Sequence, residues 1–377
     1  MRAQLADQCG ALCGCLPECN VKLGLVGPIP PPSGGMAMQT QQLARLLKEE
    51  GIEVELLATN AAYRPRWVER LRGLRAICRL LPFIWSTWRL AGRVDVIHLM
   101  ANSGWSWQLF AAPVIWLAGL RGTPVIVNYR GGDAASYMAR SASRVLPSLR
   151  RVAAVVVPSG FLQEVFANYG VDCVIVPNVV DVQRFTARPA QSIEGPLNLF
   201  VARNLESIYG LDIAIRALAL IADEVDELSL TIAGSGPLLS ELQSLAESLG
   251  VAAQVQFVGR LNPEEMAAAY ATSDIMLNPA RVDNMPNSIL EALACSVAVV
   301  SSDVGGVPFM VEHEKTALLV AVDDAQAMAN AVLRLYKDQA LYWRMREAGL
   351  QLVQNYTWPV VRPQWLSLYQ GHLESGT

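Results

Sequence analysis

The chain has 377 residues, 52% hydrophobic and 17% charged, with a formal net charge of −4. That balance excludes a disordered chain and favours large buried α/β sheets, and the length suits two or three domains. The charge is unevenly spread: residues 1–180 hold 18 Lys+Arg against 11 Asp+Glu (net +7), and residues 181–377 hold 12 against 23 (net −11). A basic half and an acidic half predict two lobes that face different partners.

Residues 1–20 carry Cys9, Cys13, Cys15 and Cys19 at a spacing that matches no zinc pattern. The segment lacks a basic start followed by a continuous apolar core, so it is a poor signal peptide, and a poorly ordered extension is expected. Cys78, Cys173 and Cys295 lie singly in apolar runs and are expected to be buried free thiols of a cytoplasmic protein.

The fold is expected to begin at Val21, with a strand to Val26, a turn containing Gly34 and Gly35, and an amphipathic helix from Gln39 to Glu50. Glycine lets the backbone approach a ligand that a Cβ would exclude. The turn does not fit Gly-x-Gly-x-x-Gly, so a nicotinamide cofactor is not indicated. Residues 61–93 hold eight arginines opposed only by Glu69, interleaved with Trp67, Phe83, Trp85 and Trp88. Such a segment suits an anionic membrane surface; the alternatives are a solvated basic face over a core stripe and, last, a nucleic-acid groove. No nucleic-acid partner is expected.

Residues 96–120 contain no Asp, Glu, Lys or Arg, but polar and proline interruptions favour a strand, a loop and a buried helix over a membrane span. His98 is placed at the end of that strand with a structural role. Strand Val125–Asn128 leads into Tyr129-Arg130-Gly131-Gly132-Asp133, where Arg130 and Asp133 are candidate substrate contacts or merely a turn with a surface ion pair. Two short strands ending at Pro158 and Pro177 follow, and a domain boundary is placed near 180–195. Beyond it, Leu197–Ala202 is a strand ending at Arg203, and Tyr209-Gly210-Leu211-Asp212 opens a helix. Further strands end at Gly234 and Gly259, and helices are expected over 324–335 and 341–354.

The stretch 273–306 is the most informative. Strand Ser273–Leu277, loop residues 278–286, a helix starting near Asn287 or Ser288, and strand Ala298–Val300 form a parallel strand–helix–strand unit. Its loop lies at the carboxyl end of a strand, where open α/β sheets bind ligands. The helix N-terminus suits a phosphate. Glu291 lies one turn in, on the face of Asn287, where a carboxylate can accept a diol. Asp283, at the loop mouth, is a candidate for hydroxyls of a second sugar.

Asp283, Glu291 and the following Gly305-Gly306 resemble the Glu–seven residues–Glu donor motif of family 4 (group 1) retaining glycosyltransferases. Asp283 replaces the first Glu, and Tyr209 stands where the family has a lysine. Pro177-Asn178-Val179-Val180-Asp181 resembles the entry to that family's second domain. The resemblance implies a GT-B fold, two Rossmann-like doubly wound domains facing each other across a cleft. The implied domains are residues 21–185 for the acceptor and 186–355 for the nucleotide-sugar, with a C-terminal helix over 356–377 crossing back to the first. It implies Arg203 and Asp283 as catalytic residues, and Gly34, Gly35, Arg203, Tyr209, Gly259, Asn287, Ser288 and Glu291 as donor-binding residues. Arg130 and Asp133 would be acceptor-binding. No cofactor and no metal are implied. The implied activity is transfer of a sugar from a nucleotide-sugar donor to a lipid-linked or saccharide acceptor, by an enzyme at the cytoplasmic face of a membrane. A sugar-nucleotide-binding protein without turnover and a sugar-nucleotide epimerase are the alternatives.

Overall fold

The structure is a computed structural model that describes residues 21–31, 34–61, 74–188, 193 and 195–371. The N-terminal extension with its four cysteines, Arg64, Arg66, Arg70 and Arg72 of the basic segment, and His372 lie outside the described residues.

The first half alternates β1 (Lys22–Gly27), α1 (Gly35–Glu49), β2 (Glu53–Ala58), α2 (Leu74–Ala91), β3 (Val96–Ala101), α3 (Ala112–Leu120) and β4 (Val125–Tyr129). It continues through α4 (Ala134–Leu149), β5 (Ala154–Val157), α5 (Gly160–Ala167) and β6 (Val174–Ile175). The second half starts with β7 (Leu197–Ala202), α6 (Leu211–Ala222), β8 (Leu228–Ala233), α7 (Leu239–Ser248), β9 (Val255–Gly259) and α8 (Pro263–Ala271). Then come β10 (Ile275–Asn278), α9 (Asn287–Ala294), β11 (Ala298–Ser302), β12 (Leu318–Val320), α10 (Ala325–Lys337), α11 (Gln339–Val353) and α12 (Trp358–Gly371).

Two parallel six-stranded sheets result, in the orders β2-β1-β3-β4-β5-β6 and β12-β11-β10-β7-β8-β9. The continuous apolar runs read in the sequence are the reason: every residue of β3, β4, β10 and β11 is buried, as helices on both faces of a parallel sheet require. Strand order reverses between β1 and β3 in one sheet and between β7 and β10 in the other. These are the topological switch points at which doubly wound sheets bind ligands. This is the two-domain GT-B architecture that the sequence resemblance implied.

Helix α12 buries Val361, Trp365, Leu366 and Tyr369 in one cluster with Leu23, Leu25 and Val96 of the first sheet. Its start is pinned by Glu50, which accepts from Trp358 Nε1 at 2.9 Å and from Arg362 Nη1 at 2.8 Å. The second half of the chain thus ends packed on the first.

Four details differ from the sequence reading. Helix α1 begins at Gly35, four residues earlier, because Gly34 in extended backbone serves as its N-cap. Helix α9 starts at Asn287 as expected, but its N-cap is Pro286, whose ring fixes a φ of −67°, and not the side chain of Asn287 or Ser288, which are its first two residues. His98 sits third in β3, fully buried, rather than at the strand's end. Of the described cysteines only Cys295 is buried; Cys78 and Cys173 are half-buried.

Candidate active site

Arg203 follows β7 and Asn278 ends β10, so the switch point of the second sheet brings them together. Arg203 donates to Asn278 Oδ1 from Nε at 2.9 Å and from Nη2 at 2.8 Å. The Asn278 amide is held the other way by Ser301 Oγ at 3.0 Å. Arg203 Nη2 also pairs with Asp283 Oδ2, and the two side chains are only 12% and 11% exposed. Burial raises the Asp283 carboxyl above its ordinary value, while Arg203 and the Asn284 N–H oppose that rise. The Tyr209 ring centroid lies 5.4 Å from the Arg203 guanidinium carbon. Tyr209 therefore stacks on the cation instead of adding a second one. Burial raises its phenol pKa, so it remains neutral.

The acidic loop is shaped by Gly305 and Gly306. Gly306 N donates to the Asp283 carbonyl at 3.2 Å. A Cβ on Gly305, where φ is +55°, would lie 2.0 Å from that carbonyl oxygen, and one on Gly306 would lie 1.9 Å from the Asn284 oxygen. The Gly-Gly turn is thus a mould for residues 283–284.

Helix α9 opens without a side-chain cap. The main-chain N–H groups of its first residues have no intrahelical acceptor. Ser288 is buried, and its Oγ has no hydrogen-bond partner among the described residues. Leaving a buried hydroxyl unpaired is costly, and a ligand oxygen at this helix tip would remove the cost. Tyr270 Oη donates between the Ser288 carbonyl at 3.0 Å and Glu291 Oε2 at 3.3 Å, which fixes the Glu291 side chain. Burial pushes the Glu291 carboxyl up to about 7, against the Tyr270 hydrogen bond and the charge of Arg203. Arg203 thus acts electrostatically on both acids of the motif. A carboxyl whose pKa rises on folding contributes stability below its unfolded value, and that stability is lost as pH rises through the folded value, here about 7. Thermal melts will show the wild type losing stability relative to Glu291→Gln between about pH 5 and about pH 8. A pH-independent difference between the two would contradict this.

Arg130 is half-buried and bonded inward rather than held in a surface ion pair. Its Nε donates to Asn128 Oδ1 at 3.2 Å, its Nη1 donates to Asn178 Oδ1, and burial lowers its pKa to about 10. Asn178 in turn donates from Nδ2 to Asn287 Oδ1 at 2.6 Å, joining the two halves at the start of α9. Asp133, by contrast, forms an exposed pair with Arg140 at 3.4 Å, away from Arg130's partners. Gly34 and Gly35 border open space at the start of α1, beyond the carboxyl end of β1. Gly259 ends β9 with φ +72° and accepts Gly234 N at 2.7 Å. A cavity of about 220 Å³ lies beside the first switch point, lined by Met36, Asn60, Arg79, Met100, Ser106 and Phe110, among others.

Sequence reading missed Asn178, Asn278 and Tyr270 as parts of this site. The available signal for Asn278 was an amide ending an otherwise apolar strand; the other two gave none. Among the described residues, no group of three or more His, Cys, Asp or Glu could hold a metal ion. The arrangement joins a cation, a donor-rich helix tip and two carboxyls, which suits a ligand carrying a phosphate and several hydroxyls.

Comparison with known proteins agrees with this chemistry. The profile of "Glycosyl transferases group 1" matches residues 182–352, and that of "Glycosyltransferase Family 4" matches residues 33–184. A phosphatidyl-myo-inositol mannosyltransferase of Mycobacterium leprae is 24% identical over 363 residues, covering 91% of this chain and 95% of its own. A GDP-mannose-dependent alpha-(1-6)-phosphatidylinositol monomannoside mannosyltransferase of Mycobacterium tuberculosis is 33% identical over 194 residues, 47% of this chain and 50% of that protein. Among solved structures, Anabaena HepE in complex with UDP superposes with a TM-score of 0.73 at 17% identity, covering 93% of this chain and all (100%) of that one. Sucrose-phosphate synthase from Thermosynechococcus elongatus gives 0.74 at 19% identity, covering 94% and 100%. The chain belongs to the group 1 glycosyltransferases of family 4, and its two parallel sheets are those of the GT-B fold.

Proposed function

We propose that this protein moves a sugar from a nucleotide-sugar donor to a lipid-linked or saccharide acceptor with retention at the anomeric carbon. The observation that carries the reading is the meeting of Arg203, Asp283 and the unpartnered Ser288 hydroxyl at the second switch point. The donor diphosphate takes the N–H groups of Asn287 and Ser288 together with Arg203, which stabilise the charge of the leaving group without a metal. Glu291 accepts the ribose diol and Asp283 accepts hydroxyls of the donor sugar. When the diphosphate engages Arg203, Asp283 is released from its ion pair toward the sugar. The sugar–phosphate C–O bond breaks and the acceptor oxygen bonds to the same carbon from the same face. The acceptor proton passes to the departing phosphate oxygen. The acceptor enters from the first domain, where the cavity of about 220 Å³ offers apolar walls and Arg79.

Two relatives are named as mannosyltransferases acting on phosphatidylinositol or its mannoside, and one solved neighbour holds UDP. GDP-mannose and UDP-glucose are therefore the first donors to test, with lipid extract as acceptor. Acceptor-dependent release of nucleoside diphosphate, with the donor's anomeric configuration kept in the product by NMR, supports the reading. Binding without release would instead make the protein a sugar-nucleotide binder. A changed sugar formed without acceptor would make it an epimerase.

Membrane contact is part of the proposal. No helix among the described residues is long and apolar enough to cross a bilayer. Helix α2 instead presents Leu81 and Trp85, each 62% exposed and one turn apart. Apolar side chains on a helix from a basic segment suit the interface of an anionic membrane. Paired Leu81→Ser and Trp85→Ser changes are expected to cut co-sedimentation with phosphatidylglycerol vesicles about tenfold. Undiminished sedimentation would remove α2 as the contact.

A further inference from the structure

A polar chain crosses the first domain and ends on the helix at the proposed donor site. Tyr369 Oη lies 2.8 Å from His98 Nδ1, and His98 Nε2 lies 3.0 Å from Asn128 Nδ2. Asn128 Oδ1 takes Arg130 Nε at 3.2 Å, and Arg130 Nη1 donates to Asn178 Oδ1. Asn178 Nδ2 lies 3.0 Å from the Met285 carbonyl and 2.6 Å from Asn287 Oδ1.

The chemistry of the links allows only one orientation for each amide. Arginine has donors and no acceptor, so Asn128 and Asn178 must both turn oxygen toward Arg130. The Met285 carbonyl can only accept, so Asn178 must turn its NH₂ toward the start of α9. Asn287 must then meet that NH₂ with its own oxygen. The only side-chain polar group Asn287 has left is its NH₂. At the other end, Asn128 donates to His98 Nε2, so the neutral imidazole carries its proton on Nδ1, toward Tyr369. Burial and the charge of Arg130 push the His98 imidazole down to about 3, which keeps it neutral.

We infer that Arg130 and Asn178 are positioning residues that lock the Asn287 amide so that it offers N–H, and not oxygen, to the diphosphate of the donor. The inference rests on the donor site proposed above and gives Arg130 a part other than acceptor contact. The chain runs from the first sheet to α9 of the second domain, so the amide is set only when the first domain is seated against α9. An oxygen in that place would face phosphate oxygens and repel them.

Asn178→Asp tests this with almost no change of shape. One carboxylate oxygen still satisfies Arg130, while the other faces the Met285 carbonyl and Asn287 Oδ1, both acceptors. Asn287 must then turn its NH₂ inward and its oxygen toward the donor. Calorimetric titration of the full chain with UDP and with GDP, alongside a melting curve, reads the effect. For whichever nucleotide the wild type binds, Kd rises about tenfold or more in Asn178→Asp. Asn287→Ala shows a similar loss, and the double variant binds no more weakly than Asn287→Ala alone, because the two act through one group. Additive losses, or an unchanged Kd in Asn178→Asp, would overturn the inference while leaving the donor site intact. A raised acceptor KM with unchanged nucleotide Kd in Arg130→Lys would overturn it in favour of acceptor contact. A wild type that binds neither nucleotide would remove the donor-site reading, and the inference with it.

Discussion

Replacing Arg203 with alanine lowers kcat/KM for the donor by about 10²–10³-fold, the usual cost of removing one preorganised charge stabiliser from an active site. The loss is concentrated in one residue because nothing nearby replaces it. Tyr209 adds no second cation there, only a neutral ring stacked on Arg203. Arg281, the next cation along the loop, is held by Asp212 and Asp323 at 2.8 and 2.6 Å. Arg130 is held within the inter-domain chain. The alanine variant also leaves Asp283 largely buried without its partner, so its melting temperature falls as well. Arg203→Lys separates the two effects. It keeps a cation beside Asp283 and so keeps most of the stability, but it cannot reproduce the two-pronged grip on Asn278. Transfer should remain depressed by at least about tenfold in the lysine variant. Wild-type turnover in Arg203→Lys would show that charge alone is needed there.

The second large effect is a division between binding and turnover at Asp283. In Asp283→Asn the amide oxygen can still accept from Arg203, so the fold and the cation's position are retained. A negative charge beside the diphosphate is removed, so nucleoside diphosphate binds as well as before or more tightly. The donor sugar loses its charge-assisted acceptor, and kcat falls about 100-fold. Titration with free nucleotide and steady-state transfer, run on the same preparation, measure the two halves of the prediction. Full transfer activity in Asp283→Asn would remove Asp283 from the sugar site. Weakened nucleotide binding with unchanged kcat would place it on the diphosphate side.

Much of the architecture was legible because parallel strands buried on both faces must be apolar along their whole length. Ile275–Leu277 and Ala298–Val300 are such runs, and each is fully buried. The acid spacing and the Gly-Gly turn were legible too, since both lie within one strand–helix–strand unit whose geometry is local. The turn's physical role was not: its glycines clear space for the carbonyls of Asp283 and Asn284, and that is visible only once the two loops meet. The start of α9 at Asn287 was legible as well, but its cap was not: Pro286, rather than a capping side chain, sets the entry.

Residues whose importance depends on distant partners stayed hidden. Asn278 and Arg203 are 75 positions apart in the chain, Asn178 and Asn287 are 109 apart, and His98 and Tyr369 are 271 apart. A sequence without aligned relatives carries no trace of such pairings. In hindsight a shared local signal exists. Asn128 lies near the end of an apolar strand and Asn278 at the end of another, and each orients an arginine by accepting from its Nε, at 3.2 and 2.9 Å. An amide at the carboxyl end of a buried parallel strand is costly unless satisfied, so it points to a polar site beyond the sheet. The same reasoning would have favoured an inward-bonded role for Arg130, two residues after Asn128, over the surface ion pair considered for it.

The most direct test is a crystal structure of the protein with the nucleoside diphosphate it binds, UDP or GDP. The account predicts the diphosphate at the start of α9, within hydrogen-bond reach of the Asn287 and Ser288 N–H groups and Ser288 Oγ, with Arg203 turned onto it and the ribose on Glu291. A nucleotide held elsewhere, with Ser288 Oγ still unpartnered and Arg203 still paired to Asp283, would contradict it.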